Sequence, residues 1–304
     1  MPVAARLLPS TRGSGGFTVP ARTPPLDNAW TRQGRVLAPS VAWESTSIQE
    51  PDVTRADGIF KMWAKGGWAT TGLGYYTSAN GTTWSRNAGN PVLGSAPEVS
   101  QPMIFWDGTQ YRCYYNSGGD SDPNTPRYAT STDGTTWTIQ GSGSFITNPG
   151  AITQWGNRHV WKEGSDWYML QEARVTTWRT YRMTSTDGAS WTLGAEQTSL
   201  RPTVGWNYGG PTMLEVPKIG GRYHVWYHAG SGSTSDLYHS ASDTASNDWD
   251  TPNLVLTHSG TGDEVDQVAD PSIVILGNTA YLFYAGVDNT AETGVILLAT
   301  GAAT

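Results

Sequence analysis

A short unit recurs along this chain and limits what it can fold into. It reads Tyr75-Tyr-Thr-Ser-Ala-Asn-Gly-Thr-Thr-Trp84, then Tyr128-Ala-Thr-Ser-Thr-Asp-Gly-Thr-Thr-Trp137, then Tyr181-Arg-Met-Thr-Ser-Thr-Asp-Gly-Ala-Ser-Trp191. A worn copy runs from Tyr238 to Trp249. The tryptophans stand roughly 50–60 residues apart, a period that signals a propeller or similar array. Each copy reads as strand, tight turn, strand. Asn-Gly or Asp-Gly is expected to form a type I′ turn, whose two central residues both take positive φ. The tryptophans are expected to pack between neighbouring sheets, so the unit speaks for the fold and not for a reaction.

The ends of the repeats supply the topology. Trp30-Thr-Arg-Gln-Gly-Arg-Val-Leu37 matches the tail of later copies, yet no inner strands precede it. Gly294–Thr300 reads as a third strand with no fourth after it. Pairing the two closes a ring and covers two sheet edges. Second strands are expected at Phe60–Trp63, Tyr111–Tyr115, Trp167–Leu170, Tyr223–Tyr227 and Tyr281–Tyr284, with inner strands beginning near Asp52, Gln101, Asn157, Gly210 and Asp270. The expectation is an all-β, five-bladed β-propeller over residues 29–304. Residues 1–28, rich in Pro, Gly, Ser and Thr, read as an extended arm, either a free tail or a tether for a partner in a surface or virion assembly.

Composition excludes several classes. The net charge of −7 argues against a nucleic-acid partner. No apolar run approaches the 18 or so residues of a membrane span. Cys113 is the single cysteine, so no internal disulfide forms, and it reads as a small buried filler. Only four lysines occur, and no secretory leader is recognisable at the start. Together these suggest an extracellular or virion-associated protein.

In such a ring, residues at the starts of the inner strands share one funnel. Gln49-Glu-Pro-Asp-Val, with Asp57-Gly58 and Met62-Trp63 after it, and Ala269-Asp-Pro-Ser-Ile-Val274 resemble blades of the five-bladed glycosidase propellers: glycoside hydrolase families 43 and 32 and the mannoside-phosphorylase-like proteins. That resemblance implies three carboxylates on consecutive blades, a base or nucleophile, a modulator and a general acid. Carried over directly, Asp52 fits the first role, but Gln101 and Asn157-Arg158-His159 stand where further acids belong. A shifted set, Asp270 as base, Asp52 as modulator and Glu98 as acid, spans consecutive blades. Glu50 is an alternative acid, and Glu172 is a further carboxylate within reach of the funnel or of Arg174. The plain alternative is that Asp52 and Asp270 only bind backbone N–H groups.

Sugars offer apolar faces to aromatic rings and hydroxyls to polar groups. Gln101, Trp155, Asn157, Arg158, His159, Trp206, Asn207 and Tyr208 are therefore candidate carbohydrate contacts, with ordinary packing as the alternative for the aromatics. Asp263, Glu264 and Asp266 form an oxygen-rich loop that could hold Ca²⁺, although a solvated loop is favoured and no cofactor is expected. The broken acid set favours a glycan-recognising, non-catalytic propeller, such as a phage-tail receptor-binding component. The alternative is a glycoside hydrolase or phosphorylase of the same fold.

Overall fold

The computed structural model describes residues 23–27, 29–68, 72–94, 98–118, 124–147, 150–214 and 218–304. Most of the expected arm, residues 1–22 and 28, lies outside them. The sheets are five antiparallel blades. Blade one comprises Ile48–Ala56, Ile59–Gly66, Gly72–Ser78 and Ser85–Arg86; blade two Val99–Trp106, Tyr111–Ser117, Thr125–Ser131 and Thr138–Gln140. Blade three comprises Gln154–Glu163, Asp166–Arg174, Trp178–Ser185 and Thr192–Glu196; blade four Asn207–Thr212, Arg222–Gly230, Asp236–Ser242 and Asn253–Leu256, with Lys218–Ile219 beside its second strand.

Blade five is built from both ends of the chain. Gln267–Leu276, Thr279–Asp288 and Thr293–Ala302 are joined by Thr31–Leu37 as fourth strand. Thr31 lies opposite Thr300, and Leu37 opposite Ile296. Arg32 Nε donates to Glu264 at 3.0 Å, and the backbones of Thr23 and Thr304 exchange hydrogen bonds of 2.7 and 2.9 Å. The ring is thus closed as the repeat grammar requires.

The tryptophans pack between blades. Trp84 of blade one lies edge-on to Phe283 of blade five, with centroids 5.6 Å apart. Trp191 of blade three meets Tyr114 of blade two. Trp30 occupies the matching place for blade five and joins the core around Trp226 and Leu237 of blade four. Burying each such side chain stabilises the ring of blades by about 1.5–3 kcal/mol. Cys113 is fully buried, and burial pushes its thiol pKa up.

The turn chemistry differs from the type I′ expectation. Only the glycines, Gly81, Gly134 and Gly188, take positive φ; Asn80, Asp133 and Asp187 do not. The loop is longer, and the acidic or amide side chain folds it from within. Asp133 Oδ1 accepts from Thr135 N and Thr136 N at 2.7 Å each, while Ser131 Oγ accepts from Gly134 N at 2.8 Å. Asn80 and Asp187 repeat the pattern. Gly134 also accepts at its carbonyl from Trp63 Nε1 of blade one at 2.7 Å, and a Cβ there would strike that indole. The local loop is therefore also a clasp between blades.

Candidate functional site

The inner strands begin a few residues earlier than the sequence suggests, and the expected starting points are instead bulges within them. Each inner strand slips register once: between Gln49 and Asp52, Ser100 and Met103, Trp155 and Arg158, Gly209 and Thr212, and Ala269 and Ser272. In four blades the slip holds a proline, Pro51, Pro102, Pro211 or Pro271, which has no N–H to give the ladder. The residue before each proline takes the left-handed conformation: Glu50 at φ 55°, Gln101 at 48°, Gly210 at 59° and Asp270 at 51°. For the non-glycines this costs about 1–2 kcal/mol each. Outliers repeated at one polar position mark a place where backbone strain aims side chains. With Asn157 of blade three, the bulges form a ring around the channel.

A second ring faces the first. The residue before each bulge pairs with Lys65, Asn116, Ala173, His228 or Ala285 of the second strand, and in blade three Glu172 stands opposite the bulge itself. Its polar members tie blade to blade. Lys65 Nζ lies 3.4 Å from Glu50 Oε1, both side chains being buried, and Glu50 Oε2 accepts from Gln101 N of blade two. Asn116 Nδ2 donates to Gln101 Oε1 at 3.0 Å and to Trp155 O of blade three at 2.7 Å. Glu172 Oε2 accepts from Asn157 N at 3.0 Å and from Gly210 N of blade four at 3.2 Å. Side-chain carbons at Gly156 and Gly209 would overlap the Glu172 carboxylate, so both glycines make room for it.

His228 sits between two of the acids. Its Nε2 is 3.5 Å from Glu172 Oε1 and its Nδ1 is 3.3 Å from Asp270 Oδ1. Asn157 Nδ2 adds a 2.8 Å bond across the channel to the same Asp270 oxygen. Burial disfavours the imidazolium, but hydrogen bonds and attraction from Asp270 and Glu172 outweigh it and hold His228 up at about 10. The opposite holds for Arg158, whose burial pulls it down to about 9. Its Nη2 donates to Asn116 Oδ1 and Gly156 O.

These rings enclose a cavity of about 300 Å³, into which Trp68 and Trp178 also face. Below it a narrow space of about 20 Å³ runs among the prolines. The wide cavity is of the size that takes a sugar residue or two.

No protein-family model matches the chain. The uncharacterized protein Rv1502 of Mycobacterium tuberculosis is 28% identical over 182 residues, 55% of this chain and 60% of that protein, so the match spans less than two thirds of the relative. Among solved structures, the BT0996 RGII complex superposes with a TM-score of 0.71 at 16% identity, covering 92% of both proteins. The catalytic domain of the Coprinopsis cinerea GH62 α-L-arabinofuranosidase superposes with a TM-score of 0.65 at 13% identity, covering 92% of this chain and 98% of that one. The fold is that of the glycoside hydrolase propellers. GH32 and family-43 enzymes share it, and at these identities the likeness is one of fold.

Within that propeller the sequence candidates separate. Glu50, Gln101, Asn157 and Asp270 line the wide cavity, and Glu172 joins them from a second strand. Asp52 lies two residues past the bulge and faces only the narrow space; its Oδ2 accepts from Ile104 N of blade two. Ser272 does the same for Val53 N at 2.9 Å, so Asp52 is the counterpart of Ser272, not of Asp270. Arg158 and His159 also face the narrow space. Glu98 precedes the inner strand of blade two and lines neither cavity.

The expected aromatics pack instead. Trp155 is buried in the core between blades two and three, Tyr208 in that between three and four, and Trp206 lies against the latter. Asn207 Oδ1 accepts from Trp178 N at 3.0 Å and so positions a cavity residue without lining the cavity. Trp68, Trp178, Lys65 and His228 are the residues that sequence reasoning misses. Lys65 and His228 stand near the ends of second strands, where nothing in the local sequence sets them apart.

The acidic loop makes ion pairs. Arg35 binds Asp263, Arg32 binds Glu264, Tyr284 Oη donates to Glu264 at 2.7 Å, and Asp266 Oδ2 accepts from Asn289 N at 2.7 Å. Among the described residues no group of three or more His, Cys, Asp and Glu is placed to hold a metal ion, and no helix is long and apolar enough to cross a membrane.

Proposed function

We propose that the funnel is a carbohydrate site and that this propeller binds glycans without cleaving them. The observation that carries this reading is the cavity itself: two rings of hydrogen-bonding side chains beside Trp68 and Trp178. Indole faces suit the apolar faces of sugars, and amides suit their hydroxyls.

Cleavage needs one carboxyl group that gives a proton and a second that attacks or activates water. Glu172 and Asp270 are held by donors: two backbone N–H groups and His228 for the first, the Asn157 amide and His228 for the second. Both carboxyl groups are thus already engaged in the contacts that tie the blades together. The fold likeness to glycoside hydrolases supports a carbohydrate ligand and leaves the reaction to the site.

Calorimetric titration with a panel of oligosaccharides tests the reading. Binding is expected in the wild type and at least about tenfold weaker in Trp178→Ala, the loss of one stacking face. Binding that survives both Trp178→Ala and Asp270→Asn places the ligand elsewhere.

A second reading, hydrolysis or phosphorolysis, is favoured by the meeting of Glu50, Glu172 and Asp270 from three blades. His228 lies 3.5 Å from Glu172 Oε1 and 3.3 Å from Asp270 Oδ1, so these two carboxylates share one wall of the cavity, as a catalytic pair must. Turnover of chromogenic arabinosides, xylosides, mannosides or fructosides, abolished by Glu172→Gln, would reverse the order of the two readings. We further place the chain outside the cell, as a receptor-recognition part of a surface or virion assembly. Its low lysine content and the Pro-, Gly- and Ser-rich residues 1–28 support this. Recovery in a larger particle is the expected outcome, and recovery as a lone monomer counts against it.

A further inference from the structure

The charge pattern of the funnel carries a specificity beyond carbohydrate binding in general. Gln49, Gln101, Gln154 and Asn289 give the wall neutral amides, which both donate to and accept from hydroxyls. The charged members are Glu50, Glu172 and Asp270, against a single lining cation, His228. That cation already lies between Glu172 and Asp270, at 3.5 and 3.3 Å. Lys65, behind the wall, is committed to Glu50. The internal segments outside the described residues, 69–71, 95–97, 119–123, 148–149 and 215–217, contain no Lys, Arg or His; residues 1–22 contain Arg6, Arg12 and Arg22.

A sugar carboxylate at this wall would meet three carboxylates in a site of reduced dielectric, and the one basic residue lining the wide cavity already lies between two of them; Arg158 lines only the narrow space. Resting on the carbohydrate reading above, we propose that the funnel selects by charge. It takes neutral sugar residues and rejects uronic acids, and Glu172 and Asp270 are the residues that set this selection by neutralising His228 between them.

The selection is tested with matched pairs in which one member carries carboxylates: galactobiose against digalacturonic acid, and cellobiose against cellobiouronic acid. Calorimetry on the full chain at low salt is expected to show the neutral member binding at least about tenfold more tightly. Acidic members that bind as tightly or more tightly overturn the selection and leave the carbohydrate site standing. If neither member of any pair binds at millimolar concentration, the carbohydrate reading fails and the selection falls with it.

Asp270→Asn and Glu172→Gln are the second arm, each checked for a native melting transition. Each leaves His228 with one carboxylate, so the neutral-to-acidic affinity ratio is expected to shrink severalfold, whatever happens to affinity overall. A merely structural role would weaken both members alike. An unchanged ratio in both variants removes Glu172 and Asp270 from the assignment and overturns it.

Discussion

One strand of blade four, Arg222–Gly230, carries a histidine towards each end, His224 buried and His228 half-buried, and the two live in opposite surroundings. His224 Nδ1 lies 3.0 Å from His239 Nε2, under the ring of Trp226. Burial pulls both of these imidazoles down, His239 to about 3 with His224 adding repulsion. Four residues on, His228 lies between two carboxylates and is held at about 10. The same residue type on one strand is kept neutral in the packed body and charged at the mouth. The body of the blade is built for packing, and the mouth concentrates charge that only neighbouring blades can balance.

The largest effect expected from this contrast is on the packed end. Trp226→Ala should cost about 3–5 kcal/mol of stability in denaturant unfolding, as truncation of a buried aromatic does. Glycan affinity of the folded fraction should stay within a factor of about two, because the mouth is untouched. At the other end, Glu172→Gln should cost about 1–3 kcal/mol, since His228 and two backbone N–H groups lose a charged partner. It should also weaken glycan binding by at least about tenfold, a loss of about 1.4 kcal/mol. If Trp226→Ala weakens binding as much as Glu172→Gln does, the two ends are not independent.

The two histidine sites also predict pH dependences of opposite sign. His228 has a raised folded pKa, so its contribution is complete below its unfolded value of 6.5 and is lost as pH rises through about 10. His239 has a depressed folded pKa. Its neutral form is favoured in the fold, so stability is complete above 6.5 and falls as pH drops towards about 3. Each limb has a slope of at most about 1.4 kcal/mol per pH unit. Urea unfolding from pH 4 to 10 should give a dome, with His228→Asn flattening the alkaline limb and His239→Asn the acid limb. The smallest effect is at the rim: Asp133→Ala should cost about 1 kcal/mol through two lost side chain–backbone bonds, with binding unchanged.

The rim and the mouth differ equally in what a reader of the sequence can see. The Ser-x-Asp-Gly-x-x-Trp unit is legible because its bonds are local: Ser131 and Asp133 fold their own loop, and Trp137 follows at fixed distance. Trp30 can be assigned to the last blade for the same reason. The mouth repeats a backbone shape and varies the side chain, so Glu50, Gln101, Gly210 and Asp270 look unrelated until aligned on the following proline. Without that alignment Asp52 and Asp270 read as a pair, although they lie two residues out of step. Glu172 stands out in the sequence and His228 does not, since a polar residue at the end of Tyr223-His-Val-Trp-Tyr-His228 reads as strand filler. What sets it apart is the carboxylate of Asp270, distant in sequence and on another blade.

The most direct measurement is the titration of His228 by heteronuclear NMR, assigned through His228→Asn. An imidazole locked between Glu172 and Asp270 should stay protonated through pH 8, lose its proton near 10, and revert towards an ordinary midpoint in Asp270→Asn. A wild-type midpoint near 6.5, unmoved by that substitution, would mean that the charges at the channel mouth are not joined as described.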